Sequence, residues 1–177
     1  MALILLRHTQ PDIAPGICYG RSDIGLPDSF ASDAKAALAS LPEFDRIVSS
    51  PLTRCHQLAE FVAKHHDMDI TIETRLQEMD FGKWERCPWS DIPRKELDSW
   101  ANNFFHARPH GGESVAMLKA RSLEALAEWN SPDATTLVVT HAGVIKMALA
   151  KSAAAADHNQ TINYGCFEIL TEVRTPK

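Results

Sequence analysis

Four short apolar runs in this sequence each lead into residues able to do chemistry. Leu3 to Leu6 is followed by Arg7 and His8, Arg46 to Ser49 by Ser50 and Arg54, Asp69 to Glu73 by Arg75 and Glu78, and Thr136 to Thr140 by His141. An imidazole is a competent nucleophile near neutral pH, because an unperturbed pKa of about 6.5 leaves a substantial unprotonated fraction. Guanidinium forks grip the oxygens of a phosphate dianion, and a second histidine can donate to them. A carboxyl can protonate a departing alkoxide and then activate water. That combination suits phosphoryl transfer, where little is gained unless charge is held and the attacker aligned. His8 is therefore the candidate nucleophile, Arg7, Arg54 and His141 the candidate phosphate-binding set, and Glu78 the candidate proton donor.

These residues can meet only if the runs are neighbouring strands. With a fifth run from Phe167 to Val173, they are too continuously apolar for a sheet with one wet face. Between them lie segments of helical period: Cys55, Leu58, Ala59 and Val62 share one face, and Val115, Leu118, Ser122, Ala125 and Trp129 another. Strands alternating with helices predict a three-layer α/β/α sandwich with a mainly parallel central sheet, in one domain over residues 1–177. In such folds ligands gather beyond the carboxyl ends of the strands, where the candidate residues fall. Ser50-Pro51 reads as an N-cap with proline at the first helical position, and Glu113 as an acid in a first turn. The segment 82–111 breaks the rhythm with Pro88, Pro93, Pro109 and many aromatics, and reads as a partly helical excursion over the site. Ala153 to Ala156 reads as extending or ending a helix.

Composition narrows the class. The 177 residues are 45% hydrophobic and 23% charged, as in a soluble globular protein. A formal charge of -5 without a Lys/Arg run argues against a nucleic-acid partner. Ala2 to Leu6 is too short for a signal peptide, and Val144 to Ala156 is interrupted by Lys146, Lys151 and Ser152, so neither export nor a membrane is expected and the cytoplasm is. Cys18, Cys55, Cys87 and Cys166 form no CxxC pair, and neither His65-His66 nor His106 with His110 has a spacing that faces one metal ion. No metal or cofactor is expected; the partner is a small phosphorylated substrate, and a homodimer stays open.

Leu5-Leu6-Arg7-His8-Thr9 resembles the Arg-His motif of the histidine phosphatase superfamily, the phosphoglycerate mutase-like enzymes. Ser49-Ser50-Pro51-Leu52-Thr53-Arg54 is similar to that family's second arginine motif, and the segment from Leu76 to Glu85 to its acid motif. Gly111-Gly112-Glu113-Ser114 and Val139 to Val144 complete the series in order, over nearly the whole chain. The resemblance implies a phosphohistidine on His8, phosphate binding by Arg7, Arg54 and His141, and proton donation by Glu78. Pro11 and the loop Gly16 to Asp23 are most similar to the alpha-ribazole phosphatase branch, which serves cobalamin assembly. That adds Tyr19, Gly20 and Arg21 as candidate substrate contacts. Five positions depart from the pattern: Thr9 and Ala142 stand where glycine is common, Ala14 near a usual asparagine, and Arg86-Cys87 where a glycine and a basic residue are common.

Plainer readings compete at several positions. Ser49 and Ser50 are explained by capping, Cys55 and Leu58 by the core, the excursion's aromatics by a small hydrophobic core of their own, and the remaining histidines by the surface. Glu113 stands evenly between a first-turn acid and a functional group. Hydrolysis of a small phosphomonoester leads, with alpha-ribazole 5'-phosphate ahead of a broad sugar-phosphate range. A mutase, a protein phosphohistidine phosphatase and a silent phosphate-binding module rank behind it.

Overall fold

The apolar runs at the centre of the sheet become strands because side chains on both of their faces find cover. In the computed structural model, which describes residues 2–173, the elements in chain order are β1 (Leu3–Arg7), α1 (Phe30–Ser40), β2 (Arg46–Ser49), α2 (Thr53–His66), β3 (Ile70–Ile72), α3 (Arg94–Asn102), α4 (Val115–Trp129), β4 (Thr136–Thr140), α5 (Ala142–Leu149) and β5 (Phe167–Leu170). The strands form one sheet in the order β3-β2-β4-β1-β5, parallel except for β5, which pairs antiparallel with β1. Successive strand residues face opposite ways. Leu3, Leu5, Val48 and Val138 thus pack with Leu118, Leu126, Val144 and Ile145 of α4 and α5. Ile4, Leu6, Ile47, Leu137 and Val139 pack with Ala34, Ala37, Leu58 and Val62 of α1 and α2. This is the expected three-layer sandwich, and no helix among the described residues is long and apolar enough to cross a membrane.

Strand register sets the rim. Arg7 lies opposite Thr140 and Ser49 opposite Val139, so β1, β4 and β2 end level with one another. The ladder continues one step further, with the His8 amide donating to the Thr140 carbonyl and the Ser50 amide to the Val139 carbonyl, each at 3.0 Å. His8, His141 and Ser50 therefore emerge side by side from three adjacent strands.

Several local expectations are corrected. Ser50 does not cap a helix: α2 begins only at Thr53, whose amide and hydroxyl are held by the Asp23 carboxylate at 2.8 and 2.7 Å. Glu113 precedes α4 instead of sitting in its first turn, because Ser114 is the cap and accepts from the Met117 amide. α5 ends at Leu149, before the alanine run, and only Ala155–His158 forms a short 3-10 turn. The fifth run is strand only to Leu170.

Residues 82–111 do form a partly helical excursion, built from two 3-10 turns and α3 around a cluster of Cys18, Trp84 and Ile92, with Trp89 and Trp100 packed against it. His110 belongs to that cluster and not to the surface: it is buried edge-on against Trp84, and its Nδ1 accepts from the Gly112 amide. The excursion is laced to the loop before it by the Cys18 amide on the Cys87 carbonyl and the Arg86 amide on the Cys18 carbonyl. Thr9 keeps a negative φ and so fits without strain, whereas Arg86 takes the left-handed φ of 65° that glycine adopts freely.

Asp67 also sits left-handed, at φ 53°, where α2 ends. A non-glycine residue there carries a conformational cost, and a carboxylate faces the negative end of the helix dipole. Asp67→Gly should stabilise by about 1 kcal/mol and raise the thermal midpoint by about 2–4 °C. Calorimetry on the two proteins checks this, with phosphatase rates expected to stay equal.

Candidate active site

The centre of the rim is an imidazole that the backbone has already oriented. His8 is 2% exposed, and its Nδ1 lies 2.7 Å from the Thr9 carbonyl oxygen. A carbonyl only accepts, so Nδ1 carries the hydrogen and Nε2 keeps its lone pair. Burial first, then the positive charges of Arg54 and Arg7, hold the His8 pKa well below its ordinary value, outweighing the opposite pull of the Thr9 carbonyl. The ring is therefore neutral and nucleophilic at Nε2 around pH 7.

The guanidinium groups beside it are held by backbone carbonyls. Arg54, 0% exposed on α2, donates to the Ser22 carbonyl at 2.9 Å and the Gly20 carbonyl at 2.6 Å. Arg7 donates to the Ile162 carbonyl at 2.6 Å. Neither forms an ion pair with a carboxylate among the described residues, so their charge is not cancelled locally. Three buried donors at or beside His8 lack any partner: Arg7 Nε, Arg54 Nε and Thr9 Oγ1. Leaving such groups unpaired costs about 1–3 kcal/mol each, more for charged ones, and an oxyanion with several lone pairs relieves it.

His141 follows β4, with its ring centroid 5.2 Å from that of His8. Its pKa also lies well below the ordinary value, through burial first, then the repulsion between it and His8 were both rings protonated, and the charges of Arg54, Arg121 and Arg7. Its Nε2 meets the Ser50 hydroxyl at 2.8 Å, and the Cys55 thiol lies 3.4 Å from the same nitrogen. Ser50 thus orients the second imidazole, a role that its position before proline concealed. Cys55 is buried as expected, yet it touches the site.

Glu78 reaches the same rim at the N-terminus of α5. Its two oxygens accept from the Met79 amide at 2.9 Å and the Gly143 amide at 3.0 Å. A Cβ on Gly143 would collide with the carboxylate, so this approach requires glycine two residues after His141. The loop carrying Glu78 is pinned from behind by Arg121 of α4, which donates to the carbonyls of Arg75, Gln77 and Glu78. Arg121 is itself anchored by Glu113, with Nε 2.6 Å from Oε1 and both side chains largely buried. Burial acts to raise the Glu113 carboxyl, but the hydrogen bond and charge of Arg121 outweigh it and hold it low. Arg75, which follows the same strand, turns away to Glu73 and Glu128 and takes no part.

The loop of residues 16–23 enters mainly through its backbone. The Glu85 carboxylate collects the amides of Gly20, Arg21, Ser22 and Phe81 at 2.9 to 3.1 Å, which presents the carbonyls that hold Arg54. Gly20 must be glycine because the Met79 carbonyl occupies the space of a Cβ. The Tyr19 ring lies 5.4 Å from the Arg54 guanidinium carbon, while Arg21 is exposed and pairs with Asp80 at 3.7 Å. A further aromatic, Tyr164, stacks on Arg7 at 3.7 Å and had no signal in the sequence. Among the described residues no three His, Cys, Asp or Glu side chains gather to hold a metal ion. A neutral nucleophilic nitrogen, uncancelled guanidinium charge and a carboxyl at one rim can transfer a phosphoryl group through a covalent step.

Comparison with known proteins agrees with this geometry. The model of the histidine phosphatase superfamily (branch 1) matches residues 3–170. The adenosylcobalamin/alpha-ribazole phosphatase of Salmonella typhimurium is 27% identical, over 96% of this chain and 90% of its own. The glucosyl-3-phosphoglycerate phosphatase of Mycobacterium tuberculosis is 31% identical, over 81% of this chain and 71% of its own. A solved mycobacterial glucosyl-3-phosphoglycerate phosphatase superposes with a TM-score of 0.81 at 26% identity, covering 95% of this chain and 88% of its own. The chain belongs to the histidine phosphatase superfamily, branch 1, and is an enzyme that hydrolyses phosphate esters.

Proposed function

We propose that the enzyme is a phosphomonoesterase acting through phosphohistidine at His8, and that its substrate is alpha-ribazole 5'-phosphate. The observation that carries the covalent step is the Thr9 carbonyl on His8 Nδ1, which leaves Nε2 as the only ring nitrogen with a free lone pair. In the first step Nε2 attacks phosphorus, the P–N bond forms and the ester P–O bond breaks. The departing oxygen takes the proton of Glu78. In the second step Glu78 takes a proton from water, the water oxygen bonds to phosphorus, and the P–N bond breaks to return His8 and release inorganic phosphate. Arg7, Arg54 and His141 hold the phosphate oxygens through both.

The choice of alcohol rests on the cavity beside the proton donor. Glu78 borders a cavity of about 400 Å³ whose walls include Phe81, Trp100, Phe104, Leu118 and Met147. Lys146, His158 and Asn159 also line it, but the larger part of the wall is aromatic and aliphatic, which suits the flat benzimidazole of alpha-ribazole. The similarity of the Tyr19-Gly20-Arg21 loop to the alpha-ribazole phosphatase branch points the same way. A broad sugar-phosphate range is the second reading, favoured by the 31% identical glucosyl-3-phosphoglycerate phosphatase. A panel of phosphomonoesters ranked by kcat/KM separates them: at least about tenfold preference for alpha-ribazole 5'-phosphate is expected from aromatic burial, and parity with sugar phosphates would favour the second reading.

Chemistry and substrate are tested separately. With p-nitrophenyl phosphate in EDTA, turnover should persist, and His8→Ala should lower kcat by at least about a thousandfold. A few-fold loss would overturn a nucleophilic His8. Glu78→Gln should cost on the order of a hundredfold or more with an alkyl phosphate and far less with p-nitrophenyl phosphate, whose leaving group needs no proton. Equal losses on both esters would remove Glu78 as the acid. Because His8 and His141 are both held low, their imidazole NMR signals in the ligand-free enzyme should remain those of neutral rings as pH falls through 6.5. A midpoint near 6.5 for His8 would show that burial and the arginines do not act on it as described.

A further inference from the structure

Two of the four cysteines face each other across the seam between the loop of residues 16–23 and the excursion. Ile17 lies opposite Pro88 in an antiparallel bridge, and the Trp89 amide donates to the Gly16 carbonyl at 2.9 Å. One step further, the Cys18 amide donates to the Cys87 carbonyl at 2.8 Å and the Arg86 amide to the Cys18 carbonyl at 2.7 Å. With Arg86 left-handed at φ 65°, this is the pattern of a β-bulge in which Arg86 and Cys87 together oppose Cys18. Residues paired across antiparallel strands have Cα atoms about 4.5–5.5 Å apart and side chains on the same face. A disulfide spans about 4.4–6.8 Å between Cα atoms, so this register suits one. The side chains agree, since Cys87 packs against the cluster that buries Cys18 with Trp84 and Ile92. Both thiols are free.

The two thiols differ in access. Cys18 is fully buried, whereas half-buried Cys87 lines a crevice of about 250 Å³ with Lys83, Pro88 and Glu96. Burial first, then the negative charge of Glu85 and that of Cys87 were it ionised, push the Cys18 thiol up to about 12. A small oxidant therefore meets Cys87 first, and Cys18 completes the bond. What the bond joins is the support of Arg54. The loop offers the Gly20 and Ser22 carbonyls to that guanidinium, and Glu85, two residues before Cys87, holds the amides of Gly20, Arg21 and Ser22.

We propose that Cys18 and Cys87 are a reversible dithiol-disulfide site, oxidised by low-molecular-weight disulfides, whose bond clamps the loop that holds Arg54 to the excursion. The Cys87 thiolate attacks one sulfur of the small disulfide, forming a mixed disulfide and releasing one thiolate. Cys18 gives its proton to solvent and attacks the Cys87 sulfur; the protein S–S bond forms and the second small thiolate leaves. Two protein thiols lose two electrons, and the small disulfide gains them to become two thiols. The two cysteines stand 69 residues apart in the chain, so the bond removes entropy from opened states and favours the closed seam. The inference does not depend on which ester the enzyme hydrolyses.

The experiment incubates the native enzyme, and the variants Cys18→Ala and Cys87→Ser, with glutathione disulfide. Remaining thiols are then blocked with N-ethylmaleimide in denaturant, and tryptic peptides are mapped without reduction. Wild type should yield peptide 8–21 joined to peptide 87–94, and dithiothreitol should separate them. Cys18→Ala should keep glutathione on Cys87 as a mixed disulfide, and Cys87→Ser should leave Cys18 free. Glutathione retained on Cys87 in wild type, or Cys18 recovered there with N-ethylmaleimide, would overturn the disulfide site. The clamp is read by amide hydrogen exchange: the Gly20, Arg21 and Ser22 amides should exchange at least about tenfold more slowly in oxidised than in reduced wild type. Equal rates would overturn the clamp. Wild type carries both readouts, so a variant that fails to fold does not blunt either.

Discussion

Two guanidinium groups sit beside a buried imidazole with no carboxylate paired to them among the described residues, and the rest of the site follows from that. Burial of charge is unfavourable unless the charge is satisfied, and here satisfaction comes from carbonyl oxygens of Gly20, Ser22 and Ile162, which carry only partial charge. The positive field therefore persists. Burial most strongly, and this field after it, keep His8 unprotonated, while Arg7 Nε and Arg54 Nε are unpartnered donors that a dianion can satisfy. Under the proposed mechanism, the donors that are costly to leave unpaired are those that a phosphoryl group on His8 would satisfy.

Such a cluster holds its geometry only if the surrounding backbone is fixed. Level ends of β1, β4 and β2 bring His8, His141 and Ser50 together. Two carboxylates, Glu85 and Glu113, then fasten the loops. Glu85 gathers four amides and so aims the carbonyls that hold Arg54. Glu113 anchors Arg121, which gathers three carbonyls and so places Glu78. Acid on amides and arginine on carbonyls are complementary solutions to one problem, that irregular loops at a buried rim have backbone groups without a ladder to pair with.

Much of this was legible in sequence because strand ends are local. Apolar runs stopped by Arg7-His8 and by His141 announce both the strands and the rim. Contacts made at long separation were not legible. Ser50 before Pro51 satisfies every local rule for a helix cap, yet Asp23 takes that role from 30 residues earlier and frees Ser50 for His141. Tyr164 lies in a stretch without periodicity, and only the fold brings it back to Arg7 and His8, 157 and 156 residues earlier in the chain. His110 looked like a surface residue since proline disrupts its spacing, but the aromatic cluster of the excursion encloses it. Glu113 was evenly poised between two readings because its partner Arg121 is eight residues on, beyond the span of a helical neighbour pair.

The central claim is that a neutral His8, its Nδ1 occupied by the Thr9 carbonyl, attacks phosphorus through Nε2. The most direct measurement is rapid quenching of the enzyme during turnover of a phosphorus-labelled ester, followed by peptide mapping under alkaline conditions. Acid-labile, alkali-stable label on His8 alone, with phosphorus on Nε2, is the predicted result. Label on another residue, attachment at Nδ1, or no covalent label under conditions that capture a burst of product would contradict it.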